Sequence, residues 1–161
     1  MKWSNTMSTK SNTQPRRRLL NLAVLAALGG GALAPASASA ANLYWVCGSA
    51  AWSTVNCWSS TPGGAPILAL PQNFDNAYLT QTDATDRVVS NNAFSGTLNS
   101  LSIDATGTGT MTFRQNSLTS PVASAIETVG INGTGYHSQV VSTNTVSSAL
   151  YLGYNSGGNG T

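Results

Sequence analysis

Charge is nearly missing from this sequence. Acidic and basic side chains make up 7% of its 161 residues, and five of the seven Lys and Arg (Lys2, Lys10, Arg16, Arg17 and Arg18) fall within the first forty. Past them, Arg87 and Arg114 stand against Asp75, Asp83, Asp86, Asp104 and Glu127, a net of 2 − 5 = −3. Nucleic acid binding needs clustered cations that displace counterions from phosphates, so nucleic acid is excluded as a partner. Histidine is equally scarce, with His137 alone. A zinc site needs four ligands and calcium needs several clustered oxygens; neither set is present as a motif, and no cofactor is expected. Helical periodicity is also lacking, because no stretch past Ala40 repeats an apolar residue every three to four positions over several turns.

The first forty residues carry what the remainder lacks. Arg16-Arg17-Arg18 precedes the apolar run Leu19 to Leu28, Gly29-Gly30-Gly31 ends it, and Ala38-Ser39-Ala40 offers the small side chains a signal peptidase accepts. A spanning helix needs about 20 apolar residues, and this run is shorter. Residues 1–40 are therefore expected to be a helical signal peptide cut between Ala40 and Ala41. Export through the general or the twin-arginine route stays open, since Pro15 replaces the usual Ser or Thr before the arginine pair.

Cys47 and Cys57 follow soon after the expected cut. In an oxidising compartment two such cysteines tend to pair; two free thiols or half of a metal site are the alternatives. Around them lie Tyr44, Trp45, Trp52 and Trp58, and then the turn-rich hinge Thr61-Pro62-Gly63-Gly64-Ala65-Pro66. Trp45, Trp52 and Trp58 invite two readings. Exposed, they form a platform for stacking on sugars; buried, they plug the open end of a β structure. The need of terminal repeats for a cap favours the plug. Residues 41–66 are accordingly expected to form an N-terminal cap.

Ser, Thr, Asn, Gly and Ala dominate residues 67–161, with Val, Ile, Leu, Tyr and Phe in short runs between Gly and Asn. β-Branched residues favour pleated backbone, and Gly and Asn permit turns. Ala77-Tyr78-Leu79, Arg87-Val88-Val89, Gly96-Thr97-Leu98 and Leu101-Ser102-Ile103 are candidate strands. Ser102 to Gly109 is echoed by Thr128 to Gly135 and again from Leu152 to Gly158, with Gly107, Gly133 and Gly157 spaced 26 and 24 residues apart. Such a period indicates a solenoid. The expected fold is all-β, a parallel β-helix whose repeats begin at residue 67 and continue past Thr161 in a longer protein.

The leader ending Ala38-Ser39-Ala40, the tryptophans, the Pro62-Gly63-Gly64 turn, Val88-Val89, Gly96 to Ile103 and the Val129-Gly130 and Leu152-Gly153 repeats together resemble the N-terminal passenger regions of Gram-negative autotransporter and related repeat-rich surface proteins. The resemblance covers most of the chain, through generic motifs. It implies a right-handed parallel β-helix, exposed on the cell surface or released, often adhesive, and carried by a C-terminal outer-membrane barrel. The chain shows no such barrel, and its two cysteines depart from the many passengers that avoid disulfides.

Catalytic signals are weak. Asp83 and Asp86 are the nearest acidic pair, in a turn-like stretch that also allows an Asp86–Arg87 ion pair. No Gly-x-Ser-x-Gly elbow is present, and His137 reads as an exposed strand or loop residue. The expected function is that of an exported adhesive or structural surface protein and not an enzyme. Its partners would be host or neighbouring-cell surfaces or glycans, with membrane contact only through the leader or a missing C-terminal anchor. The alternatives are a polysaccharide-binding module using the tryptophans, or a β-helix lyase or hydrolase.

Overall fold

The computed structural model describes residues 39–161. The apolar leader lies outside these residues; Ala40 and Ala41 are within them, exposed, immediately before the first strand. Eleven strands follow: β1 Asn42–Trp45, β2 Ala50–Ala51, β3 Trp58–Ser59, β4 Asn76–Gln81, β5 Arg87–Asn91, β6 Gly96–Ala105, β7 Met111–Gln115, β8 Val122–Val129, β9 Thr134–Gln139, β10 Asn144–Leu152 and β11 Asn159–Gly160. One 3-10 turn, Val55–Cys57, is the only helical segment among the described residues.

The strands alternate between two sheets. One runs β10-β8-β6-β4-β1-β3 and the other β11-β9-β7-β5-β2, and every pairing but β1 with β3 is parallel. The chain therefore winds as a β-solenoid of about four turns, as the repeat spacing predicts. Asn76 pairs with Ser100, Ser100 with Ile126 and Ile126 with Ala149, steps of 24, 26 and 23 residues. The first step is longer, Asn42 to Asn76, because the disulfide loop and the Pro-Gly hinge are inserted there. β1 and β2 pair in parallel with β4 and β5, so the segment expected as a separate cap already contributes the first coil.

Register puts like on like. One inward column of the first sheet reads Leu79, Ile103, Val129; one of the second reads Val89, Phe113. All are fully buried, each worth about 1.5–3 kcal/mol relative to exposure. Gly96-Thr97-Leu98 and Leu101-Ser102-Ile103 prove to be one strand that turns a corner. Leu98 and Leu101 both point inward although three residues apart, a spacing that alternation forbids in a straight strand. β8 repeats the corner with Ser124 and Glu127, and β10 shifts register between Val146 and Ala149.

Buried amides hold the corners together. Gln81 Nε2 donates to the carbonyls of Thr85 (2.6 Å) in its own coil and Thr110 (2.8 Å) in the next. Asn91 Nδ2 likewise bridges Phe94 and Ser120, both at 3.0 Å. The carbonyls of Thr85, Phe94 and Ser120 thereby gain donors, without which burial costs about 1–3 kcal/mol each, and that of Thr110, which also accepts from Arg87 N, gains a second. On the outer face Asn76 accepts from Asn99 (2.7 Å) and donates to Asn42 (2.8 Å). Tyr78 stacks on Tyr44 at 4.7 Å, the spacing of neighbouring strands.

Coils approach too closely for side chains at the turns. A Cβ on Gly107 would strike the carbonyls of Thr82 and Asp83, and one on Gly133 the carbonyl of Ala105. In the third repeat copy this contact falls on Gly158, whereas Gly157 serves a left-handed turn at φ +92°. Gly133→Ala should therefore cost about 1–3 kcal/mol through forced separation of coils. In urea the midpoint should fall at unchanged m, while Gly48→Ala, with no atom within 4 Å of the new Cβ, should leave it in place. Equal midpoints for the two variants would contradict the close approach.

Candidate functional site

The four places singled out by sequence lie far apart in role. Cys47 and Cys57 are joined, with Cα atoms 4.9 Å apart. The bond closes a short loop, worth about 2–3 kcal/mol by chain-entropy reasoning. It holds β3 against β1, where Trp45 pairs with Trp58 across the lone antiparallel ladder. Trp45, Trp52 and Trp58 are 3%, 1% and 0% exposed. Their rings meet edge to face, Trp45 on Trp58 at 5.2 Å and Trp52 on Trp58 at 4.7 Å, and Trp52 continues onto Phe113 at 5.5 Å. Trp58 Nε1 donates to the Trp52 carbonyl (3.0 Å) and Trp45 Nε1 to that of Gly48 (2.9 Å). A sugar platform needs free ring faces, and these are packed into the core. Of the two readings the sequence offers, the burial is that of the plug over the first coil, and the three rings present no free face for stacking.

The acids are distributed as stitches between coils. Asp86 Oδ1 accepts from Thr110 N (2.9 Å) and Oγ1 (2.8 Å). Asp104, 4% exposed, accepts from the backbone amides of Asn132 (3.2 Å) and Gly133 (2.9 Å). Arg87 pairs with Asp83, four residues before it, instead of with Asp86. Asp83 also accepts from Thr85 N at 3.0 Å, as an Asx turn does. An open groove of about 690 Å³ runs beneath the hinge, lined by Trp45, Pro62, Gln81, Asp83, Arg87 and Asp104 among others. It falls in the size range of ligand sites, but each of its carboxylates already has protein partners.

The feature that residue-by-residue reading missed lies inside the fourth coil. Glu127 occupies the inward column of Leu43, Ala77 and Leu101, and His137 that of Ala50, Val89 and Phe113. Where earlier coils bury two apolar side chains, this one buries an acid and an imidazole, at 1% and 9% side-chain exposure. His137 is therefore an inward strand residue and not an exposed one. Its Nδ1 contacts Glu127 Oε1, and its Nε2 lies 2.8 Å from Gln115 Oε1. Glu127 Oε2 accepts from Asn144 Nδ2 at 2.8 Å. The ring stands edge-on to Phe113 at 5.2 Å.

Proton bookkeeping follows from the amide. Gln115 Nε2 donates to the Thr143 carbonyl (3.2 Å), which assigns Oε1 as acceptor and makes His137 Nε2 a donor. The Nδ1 contact with Glu127 then needs a second proton, held as imidazolium and carboxylate or as the neutral pair. A carboxylate orienting an imidazole is the arrangement of a general base. Here, however, both ring nitrogens are committed to protein partners. Beside the pair, a hollow of about 210 Å³ is bounded by Glu127, His137, Asn144, Leu150, Leu152 and Thr161, smaller than usual ligand pockets. The arrangement is a polar core in which both ring nitrogens and both Glu127 oxygens are partnered, while Asn144 Oδ1 is buried without a partner. Its signal was present in the repeat itself: carrying Leu101 and Phe113 forward by one coil lands on Glu127 and His137.

Removing one member leaves the other buried without its partner, a loss of about 3–5 kcal/mol. Glu127→Leu and His137→Phe singly should lower the unfolding free energy by that order. The double variant restores the apolar columns and should match or exceed the parent in chemical denaturation. A double variant as weak as the singles would show that the pair does more than fill the core.

No family model, curated protein or solved structure matches this chain.

Proposed function

We propose that this chain is the solenoid part of an exported cell-surface or secreted protein, of autotransporter-passenger type, acting as an adhesive or structural element. The observation that carries the reading is how the chain uses its few charges. Asp75, Asp86, Asp104 and Glu127 bond across coils, and Asp83 holds Arg87 within a turn. Arg114 is exposed on the second sheet, and the outer face of the first is repeated and uncharged, with columns such as Asn42, Asn76 and Ser100, or Thr97, Ala123 and Thr145. Such a surface offers many similar weak contacts and no concentrated reacting group. The Cys47–Cys57 bond supports an oxidising location, and the expected leader supports export. The glycan-binding alternative through Trp45, Trp52 and Trp58 loses its support with their burial.

Expression of the full chain in a Gram-negative host, followed by fractionation and thiol titration, tests the location. The expected product lies outside the cytoplasm with both cysteines oxidised. Intact chain in the cytoplasm with two free thiols would contradict the reading. Adhesion is tested with beads carrying the purified product and offered to bacterial or animal cells. Retention should change little between about 0.05 and 0.5 M salt, because screening acts on charges and this face has few. Retention no better than on blank beads, or release of reducing sugar from polysaccharide, would overturn it.

A further inference from the structure

Ala41 sits at the junction of the leader and the first strand, and its backbone is gripped from both sides. Its N–H donates to Asp75 Oδ1 at 2.8 Å, and its carbonyl accepts from Asn76 N at 2.8 Å. Ala40, one residue earlier, is exposed and in no strand. Asp75 is 8% exposed, and its other oxygen accepts from Gln72 N at 2.8 Å. The other residues that bond it, Gln72 and Asn99, carry no charge. Among the described residues this buried carboxylate is satisfied only by two peptide N–H groups and meets no countercharge, and buried charges are ordinarily paired.

We infer that Asp75 is the receptor for the new N-terminus of the processed protein, an inference resting on the export reading above. Signal peptidase hydrolyses the Ala40–Ala41 bond with one water. The oxygen of the water joins the Ala40 carbonyl carbon, leaving that residue as a carboxylate, and the Ala41 nitrogen becomes an ammonium. The nitrogen need not move. A peptide N–H···carboxylate contact becomes a charge-assisted ion pair, the stronger kind of hydrogen bond. Asp75 lies on the loop between the hinge and β4, and Ala41 opens β1. Cleavage would thus lock the start of the first coil to the second, and maturation would complete the N-terminal end of the solenoid.

The sequence supplies a clean handle, since Lys2 and Lys10 are its only lysines. Between Ala41 and Thr161 the α-amine is the sole primary amine after the cut. The full chain is expressed with its own leader, the exported product is identified by mass spectrometry, and its amine is acylated with an active ester at neutral pH. Labelling of the native product should be about tenfold slower than that of Asp75→Asn, the factor that one unit of altered basicity gives. Carbamylating the parent product, which removes the charge without touching Asp75, should lower its melting midpoint by about 2–8 degrees. Equal labelling rates with an unmoved midpoint overturn the inference and leave export standing. A product beginning at any residue other than Ala41 does the same, whereas uncut cytoplasmic chain counts against both.

Discussion

The repeated contact between one coil and the next at strand spacing governs this molecule. Parallel ladders fix that spacing at about 4.8 Å, and every other feature is an accommodation to it. Leu79 must sit on Ile103 and Ile103 on Val129, because register leaves them no other neighbour. Gly107 and Gly133 lack side chains because the backbone of the preceding coil occupies the space. The same spacing brings Tyr44 and Tyr78 into stacking and lets Asn76 bridge to Asn42 and Asn99.

A narrow solenoid cannot close its corners with strand hydrogen bonds alone. Its interior must therefore carry polar groups where a globular core would carry only hydrocarbon. Gln81, Asn91 and Gln115 are buried amides whose donors reach turn carbonyls of the following coil. Glu127 and His137 extend the device, since Asn144 and Gln115 complete their hydrogen bonds. Specificity of coil order follows. A shift of one coil would keep Glu127 beside His137 but take away Gln115 and Asn144, leaving buried polar atoms of the pair without their hydrogen bonds. The N-terminal end is handled by hydrocarbon instead, with three tryptophans and a disulfide placed where the first coil has no predecessor.

Much of the fold could be read from the sequence, because periodic constraint leaves periodic marks. The Gly107 and Gly133 echoes, 26 residues apart, are close approaches of coils, the third falls on Gly158, one residue past the Gly157 that the echo picks out, and the absence of helical periodicity holds throughout the described residues. Cys47 and Cys57 were readable as a pair. Two things were not. The corner inside β6 joins segments that pattern alone separates, since Asn99 interrupts the alternation without ending the ladder. His137 looked solitary because its partner Glu127 lies ten residues away and Gln115 twenty-two, distances that only winding brings together. Trp45, Trp52 and Trp58 showed the opposite limit. Composition marks aromatic residues as sticky, but only the antiparallel turn of β3 over β1 decides whether their faces meet solvent or each other.

Native-state amide hydrogen exchange resolved along the chain is the most direct measure of coil stacking. In such a structure the slowest amides lie in strands flanked on both sides, residues 76–81, 96–105 and 122–129 in one sheet and 87–91 and 111–115 in the other. Protection should recur at the coil period and fall in the edge strand 144–152. Uniformly fast exchange across these segments, or protection confined to residues 41–66, would contradict the stacked-coil account.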